Sequence, residues 1–212
     1  MSHERFRVAV IAAAFLVAAV VFVRFPAAAR PAAIPFFERL AVAFFLPVTS
    51  VIVLAVFRRV AAADALRGNY ARFRGTFEIM LDLAVIVIVG LQLVLHALLI
   101  IFRGARQPPR LEFVLTMLLG LALIVAGNVL PRLRPNSALG IRTPWTLGDE
   151  RVWARVHRVG GRLIAAFGLA FLAVTFIDFQ KVWWVAIPGL VLTLAGLPIL
   201  SFVLWKSRST ES

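Results

Sequence analysis

Six long apolar stretches constrain the fold of this chain more than any other feature. They cover residues 8–23, 40–57, 79–102, 113–130, 163–179 and 182–205. About 20 mostly apolar residues in a helix cross roughly 30 Å of hydrocarbon. Of the 212 residues, 62% are hydrophobic, whereas a soluble domain has roughly 45–50%. The sequence therefore predicts an all-α integral membrane bundle of six transmembrane helices, organised as a single domain.

The first stretch also has features of a cleavable signal peptide. Arg5 and Arg7 precede its apolar run, and alanines 27–29 follow it, which is the order of a secretory signal. However, Arg24 and Pro26 interrupt the approach to the alanines. We therefore expect a first helix that is retained.

The distribution of basic residues predicts the orientation. Of 23 Lys and Arg residues, 16 lie in the N-terminal segment, the loops after stretches two and four, and the C-terminal tail. Cytoplasmic loops carry the excess of Lys and Arg, so both termini and the fourth loop are predicted to be cytoplasmic. The basic residues that give the net charge of +13 lie in the segments that flank the apolar spans. That placement favours contact with an anionic inner leaflet over direct nucleic-acid binding.

The longest polar segment is the fourth loop, residues 131–162, which we call the motif loop. Its first part, up to Pro144, contains three prolines and is not expected to form a regular helix. Thr146 and Asp149 have the spacing of a capping box, which predicts an amphipathic helix over about residues 147–160. The pair Gly160 and Gly161 is expected to let this helix bend into the fifth span.

The predicted amphipathic helix has two distinct sides. Four arginines fall within about 60° of arc at helical spacing, opposite valines and a tryptophan. We expect the apolar side to enter the bilayer interface and the arginines to face lipid phosphates. The arginines assigned to lipid are Arg151, Arg155 and Arg162.

Two interpretations of the motif loop remain open. In the first, it is an interfacial elbow that orients the protein. In the second, Arg142, Trp145, His157 and the arginine stripe form a ligand or partner site, because guanidinium suits phosphate or carboxylate and tryptophan offers an aromatic face. Helical periodicity does not separate them.

The order of residues in this loop resembles the SdpI family of bacterial multi-pass proteins. The resemblance is strongest from Asn128 to Arg162 and centres on the string GIRTPWTL, followed by the spacing Trp-x-x-x-His-Arg-x-Gly-Gly. The residues that carry it are Asn128, Asn136, Gly140, Arg142, Thr143, Pro144, Trp145, Trp153, His157, Arg158, Gly160 and Gly161.

The resemblance implies a multi-pass protein of the bacterial plasma membrane that protects the cell against a membrane-active toxin or antimicrobial peptide. It further implies signalling, through a cytoplasmic repressor held at the membrane. It implies no enzymatic activity. The N-terminal third departs from the family pattern, since Ile34-Pro35 is followed by Phe36-Phe37 rather than by histidine and glycine, although Pro47 is similar to a proline of the family's second span.

Four polar residues form a stripe along the third span. Glu78, Asp82, Gln92 and His96 fall within about 80° of arc. A polar group at membrane depth is a candidate functional site, and the stripe could serve a small transporter or an intramembrane enzyme. We expect Glu78 and Asp82 to pair with arginines of the second loop.

The structural alternative is that the stripe only makes interhelical hydrogen bonds. The candidate partners are Asn128, Thr116 or a backbone carbonyl. No metal site or cofactor is predicted, because there is no cysteine, the three histidines are far apart, and no nucleotide-binding fingerprint occurs.

Overall fold

The computed structural model describes residues 2–28, 36–100 and 111–209. Every regular element in these ranges is helical. The segment Ala33-Ile34-Pro35, where the sequence departs from the family pattern, lies outside the described residues. The α-helices are α1 His3–Ala28, α2 Phe36–Ala63, α3 Tyr70–Ile100, α4 Leu111–Val129, α5 Pro144–Gly148, α6 Glu150–Ile177, α7 Val182–Val191 and α8 Leu197–Ser209.

Six segments are long and apolar enough to cross a membrane, which confirms the predicted all-α, six-span fold. They are His3–Arg24, Phe36–Ala63, Arg67–Ala97, Phe113–Arg132, Glu150–Ile177 and Val182–Ser207. Several extend beyond the apolar stretches because the backbone hydrogen-bond ladder continues into the charged flanks, whose long side chains can reach the headgroups. The last span consists of α7 and α8 joined by a π-helical turn, Leu192–Gly196.

The described helices group into two compact units. The first contains Met1–Val56 and Leu81–Leu118, and the second contains Phe57–Met80 and Leu119–Ser212. Ala14, Val85 and Val89 form a buried apolar cluster of the first unit. The prediction of a single domain over residues 1–212 stays a prediction.

Glycines bring α4 and α6 together in the second unit. A Cβ on Gly127 would lie 2.5 Å from the backbone nitrogen of Ala165, and one on Gly161 would lie 2.6 Å from the carbonyl oxygen of Gly127. Small residues at such crossings let backbones approach within membranes. The predicted bend at Gly160 and Gly161 stays a prediction. Helix α6 runs without interruption from 150 to 177, and the missing side chains of these glycines leave room for neighbouring atoms.

Candidate functional site

The non-helical part of the motif loop, residues 133–143, is folded around Asn136, which is fully buried. Its Oδ1 accepts hydrogen bonds from the backbone N–H groups of Ala138, at 2.9 Å, and Leu139, at 2.7 Å. Its Nδ2 donates to the carbonyl of Arg134 at 2.7 Å. A side-chain amide that bonds nearby backbone groups closes turns without regular secondary structure. Asn136 therefore fixes the conformation of the loop.

Gly140 and His157 form the second fixed point. The φ of Gly140 is +107°, a conformation that side chains rarely adopt, and a Cβ there would collide with Nε2 of His157. The same nitrogen accepts the N–H of Ile141 at 3.0 Å. Nδ1 lies 2.9 Å from the carbonyl of Trp153, so Nδ1 carries the proton. Both ring nitrogens of this fully buried side chain are therefore occupied within the protein.

Trp153 ties the start of the loop to α6. Its indole stacks on the imidazole of His157, with ring centroids 3.9 Å apart. Its Nε1 donates to the carbonyl of Leu133 at 2.8 Å, so the buried indole has its hydrogen-bond partner. Trp153 and His157 thus hold both ends of the non-helical part.

Thr143 begins the short helix α5. Its hydroxyl accepts from the N–H of Thr146 at 3.2 Å, while the hydroxyl of Thr146 accepts from the N–H of Thr143 at 2.9 Å. Pro144 occupies the first helical position, where its missing N–H costs nothing. The hydroxyl of Thr143 also lies 2.9 Å from that of Ser201 on α8. This reciprocal cap anchors α5 against the end of the last span.

The predicted capping box from Thr146 to Asp149 is wrong. Thr146 is engaged with Thr143, and Asp149 caps α6 instead, accepting from the N–H groups of Arg151, at 2.8 Å, and Val152, at 3.2 Å. Two abutting helices each present orphan N–H groups, so each needs its own cap.

Asp64 is a site residue that the sequence analysis missed. It is only 5% exposed. Its carboxylate accepts from the N–H of Ser137 at 2.6 Å, the hydroxyl of Ser137 at 2.9 Å, the hydroxyl of Tyr70 at 2.9 Å and the N–H of Leu66 at 2.9 Å. Burial raises the pKa of Asp64, but these hydrogen bonds outweigh it and hold the pKa below its ordinary value. Asp64 therefore holds the motif loop as a carboxylate.

The segment after α2 makes one more bond to the loop. Nδ2 of Asn69 donates to the carbonyl of Pro135 at 2.9 Å. In the sequence, Asp64 is recognisable as the single acidic residue among the five arginines of the second loop. Its main partner, Ser137, lies 73 residues away, and the spacing of residues along a helix does not reveal such a pairing.

Arg142 and Trp145 are the charged and aromatic residues of the GIRTPWTL string whose side chains could contact a ligand. Arg142 is exposed, and its guanidinium donates to the carbonyl of Ser137. The half-buried Trp145 packs edge-on against Phe202, with ring centroids 5.1 Å apart, and lies 6.5 Å from Trp205. The structure thus presents a fork of donors and an aromatic ring on a fixed loop.

The four arginines of α6 are exposed and lie opposite a buried apolar face. Val152, Trp153 and Val156 are at most 1% exposed, so protein rather than lipid covers that face, contrary to the expectation that it enters the bilayer interface. The non-helical part of the loop contacts α6 at Trp153 and His157, and Leu197 of α8 lies close to Gly160. Lipid contact by Arg151, Arg155 and Arg162 stays a prediction.

A polar groove of about 310 Å³ lies between the loop and α6. Arg132, Arg134, Glu150 and Arg158 contribute its charged lining. Arg134 and Glu150 approach to 3.2 Å. The groove thus offers one compensated pair and two further guanidinium groups.

Asn128 lies apart from this network. It is exposed, and its Nδ2 donates to the carbonyl of Ile124 on its own helix at 2.9 Å. The buried glycine Gly160 lies under the loop, where a Cβ would be 2.7 Å from Ile141 and 3.2 Å from Leu197. Most of the twelve motif residues therefore stabilise the conformation of the loop, and few have side chains that are accessible to a ligand.

The polar stripe on α3 has other partners than those predicted. Asp82 pairs with Arg7 at 2.7 Å and with His3 at 2.5 Å. The predicted pairing of Asp82 with arginines of the second loop is wrong, because α1 supplies the cations. Gln92 donates to the carbonyl of Ala14 at 2.8 Å.

The rest of the stripe divides between the two units. Nε2 of His96 lies 3.3 Å from the carbonyl of Val42. His96 and Gln92 therefore each have a backbone carbonyl as their hydrogen-bond partner. Half-buried Glu78 belongs to the second unit. Within the described ranges, no three His, Cys, Asp or Glu residues are grouped closely enough to hold a metal.

The helices and the loop together define a multi-pass helical membrane protein with a folded polar segment between its fourth and fifth spans. Residues 132–201 match the model of the SdpI/YfhL protein family, and an SdpI-family assignment holds over this part of the chain. The chain is also similar to the immunity protein SdpI of Bacillus subtilis (strain 168), with 26% identity over 96 residues.

That alignment covers 45% of this chain and 46% of the relative, so it spans less than half of either protein. No solved structure matches the chain. The family match covers the motif loop from residue 132, the fifth span and the sixth span as far as residue 201, and residues 1–131 lie outside it.

Proposed function

We propose that this protein is a non-enzymatic immunity protein that protects a bacterial cell against a membrane-active toxin or antimicrobial peptide. The support is the family match over residues 132–201 and the similarity to a relative named as an immunity protein. The observation that carries the proposal is that the folded loop presents exposed Arg142, with half-buried Trp145 three residues further along the chain. A loop that is already ordered loses little conformational entropy on binding.

The chemistry of this pair suits a peptide target. The guanidinium of Arg142 can bind a carboxylate with two parallel hydrogen bonds, and the ring of Trp145 offers an apolar face. Buried Asn136 and His157, together with the positive φ of Gly140, keep the pair in place. In this proposal the buried residues support recognition, and the exposed ones carry it out.

The test is protection of cells. The full chain is expressed in Bacillus subtilis from which the immunity protein SdpI has been deleted, and the cells are challenged with supernatant from their undeleted parent. We expect survival with the natural sequence and loss of survival with Arg142→Ala or Trp145→Ala at equal expression. The matched control is Arg72→Ala, an exposed arginine elsewhere. Full protection by both loop variants would contradict the role of the pair.

We further propose that both termini and the motif loop are cytoplasmic. The chain contains no cysteine, so a single introduced thiol reports its own side. Gly148 is exposed and a Cβ there meets nothing within 4 Å, while Lys181 lies in the predicted external loop. An impermeant maleimide should label Lys181→Cys in intact cells and Gly148→Cys only after lysis. The reverse pattern would overturn this orientation.

A signalling role would need a surface for a cytoplasmic repressor. The polar groove has suitable chemistry, since its arginines exceed its carboxylates and would complement an acidic patch. We expect a photocrosslinking residue at Arg134 to capture a repressor when the toxin is present. Capture that is equally strong from Arg72 would indicate unspecific contact.

The second candidate function is a small transporter or intramembrane enzyme that uses the stripe on α3. One observation favours it: Oε1 of Gln92 and Nδ1 of His96 are buried and have no hydrogen-bond partner among the described residues. In that case His96→Leu and Asp82→Asn should eliminate pH-dependent substrate flux in proteoliposomes and Arg142→Ala should not. The immunity function predicts that protection survives His96→Leu.

A further inference from the structure

A second groove, of about 420 Å³, lies between the first turns of α6 and the end of α8. Arg151, Arg155 and Arg158 line it from α6, and Leu204 and Ser207 line it from α8. We call it the α6/α8 groove. It combines three guanidinium groups with an apolar side chain.

The charged side chains that line the α6/α8 groove all carry a positive charge, as far as the described residues go. None of them is a carboxylate, in contrast to the polar groove, where Arg134 pairs with Glu150. Arg151 and Arg155 are exposed and make no ion pair within the described ranges. Arg158 is exposed as well, and its Nε lies 3.3 Å from the carbonyl of Ala154. Such a cluster attracts an anion with several acceptor oxygens.

The position of the groove identifies the kind of anion. Leu204 and Ser207 belong to the last two turns of the final span, Val182–Ser207. Phe202, Val203 and Trp205 are exposed there, and tryptophan is enriched where a span meets the headgroup layer. We therefore expect the groove at the depth of lipid phosphates, with apolar helix surface leading away from it.

We propose that the α6/α8 groove binds the phosphate of an anionic phospholipid, whose acyl chains lie along α8. Arg151, Arg155 and Arg158 rise over about 10 Å of helix, so guanidinium groups on successive turns can contact one phosphodiester. Arginine forms bidentate hydrogen bonds with phosphate. Leu204 packs against the first carbons of the lipid. This site is independent of the proposed immunity function and of the proposed orientation.

The experiment measures lipid retention by the full chain. The purified protein in a neutral detergent is titrated with phosphatidylglycerol or phosphatidylcholine, and bound lipid is counted by native mass spectrometry. We expect preferential retention of phosphatidylglycerol. The double variant Arg151→Gln/Arg155→Gln should lose about tenfold or more of that preference, given the attraction of each basic residue for an anionic surface.

The matched control is Arg72→Gln/Arg74→Gln, which removes two exposed arginines from α3 and the same charge. It should change the preference by less than about twofold, since neither arginine lines the groove. Arg151→Lys/Arg155→Lys keeps the charge without the planar fork, so it should lose about threefold. All variants alter exposed side chains, and elution as the same monodisperse species checks their folding.

Three results would overturn the proposal. An equal loss in the two glutamine doubles would show a general effect of charge. Retention of both lipids to the same extent by the natural sequence would show no headgroup site. Displacement of phosphatidylglycerol by an excess of inorganic phosphate, with phosphate itself retained, would show a site for the free anion rather than for a lipid.

Discussion

The non-helical part of the motif loop and the polar stripe of α3 treat buried polar groups differently. In the loop, both ring nitrogens of His157 and all the polar atoms of Asn136 have partners. On α3, Gln92 and His96 each bond one backbone carbonyl, and each keeps a buried acceptor without a partner among the described residues.

The difference shows what each region depends on. In the loop, hydrogen bonds replace regular secondary structure, so a missing partner removes the conformation itself. In the spans, the helix satisfies its own backbone, and side-chain bonds only add to packing. Substitutions at polar positions should therefore be costly in the loop and mild at the uncharged positions of the stripe.

The largest effect is expected at Gly140. Gly140→Ala would place a Cβ against His157 at a φ of +107°, which should lower the free energy of unfolding by about 3 kcal/mol or more. Thermal unfolding in detergent, followed by tryptophan fluorescence, measures it. Gly148→Ala is the control, because a Cβ there meets nothing within 4 Å. Equal stability of the two variants would contradict the role of the loop conformation.

The charged end of the stripe is expected to behave like the loop. Asp82→Asn removes the negative charge against which the buried guanidinium of Arg7 is held at 2.7 Å. Breaking a buried ion pair should cost about 3 kcal/mol. Glu150→Gln, whose pair with Arg134 is 3.2 Å long and exposed on both sides, should cost less than about 1 kcal/mol. Denaturant titration of both variants decides between these expectations.

Asp64 is expected to give the third largest effect. Asp64→Asn removes a carboxylate that accepts four hydrogen bonds, which should cost about 2 kcal/mol. The control is Asp178→Asn, where the carboxylate pairs with exposed Lys181. A difference below the error of the unfolding measurement would contradict the anchoring role.

The contribution of Asp64 also depends on pH. Its pKa in the folded protein is lowered, so its stabilisation is complete above about pH 4, the ordinary carboxyl pKa. It is lost as pH falls through the lower pKa of the folded state. The stability difference between natural protein and Asp64→Asn should therefore narrow in that acid range. A difference that widens on acidification would have the wrong sign.

The smallest effect is expected at Gln92. Gln92→Leu removes one bond to the carbonyl of Ala14 and one buried acceptor, so stability should change by about 0.6 kcal/mol or less. The comparison with Asn136→Leu sharpens the contrast, because that side chain closes the loop. Loss of stability in Gln92→Leu that equals the loss in Asn136→Leu would remove the distinction between the two regions.

Much of the fold follows from the sequence. Hydropathy locates six spans because hydrocarbon thickness sets the length of an apolar run. Helical periodicity correctly places the arginines of α6 on its exposed side. Periodicity does not reveal what covers the opposite side. Sequence therefore predicted lipid against Val152 and Trp153, where the structure has protein.

The candidate site was less predictable. The string GIRTPWTL marked the right segment, but only the structure separates buried Thr143 and His157 from exposed Arg142. Asp64 stands out in the sequence only as the single acidic residue of the second loop, and its partner Ser137 could not be predicted because it lies 73 residues away. These long-range hydrogen bonds depend on how the loop folds over α6, and no periodic pattern in the sequence predicts that conformation.

The sequence by itself determined that this protein lies in a membrane. Apolar runs of this length form helices within a bilayer, because their backbone N–H and C=O groups find no water there and must bond to one another. The tertiary structure alone decided which neighbours Gly160 and Gly161 accommodate, and that Asp64 holds the motif loop. Both depend on close approach between distant segments, where one absent Cβ or one carboxylate determines whether they fit.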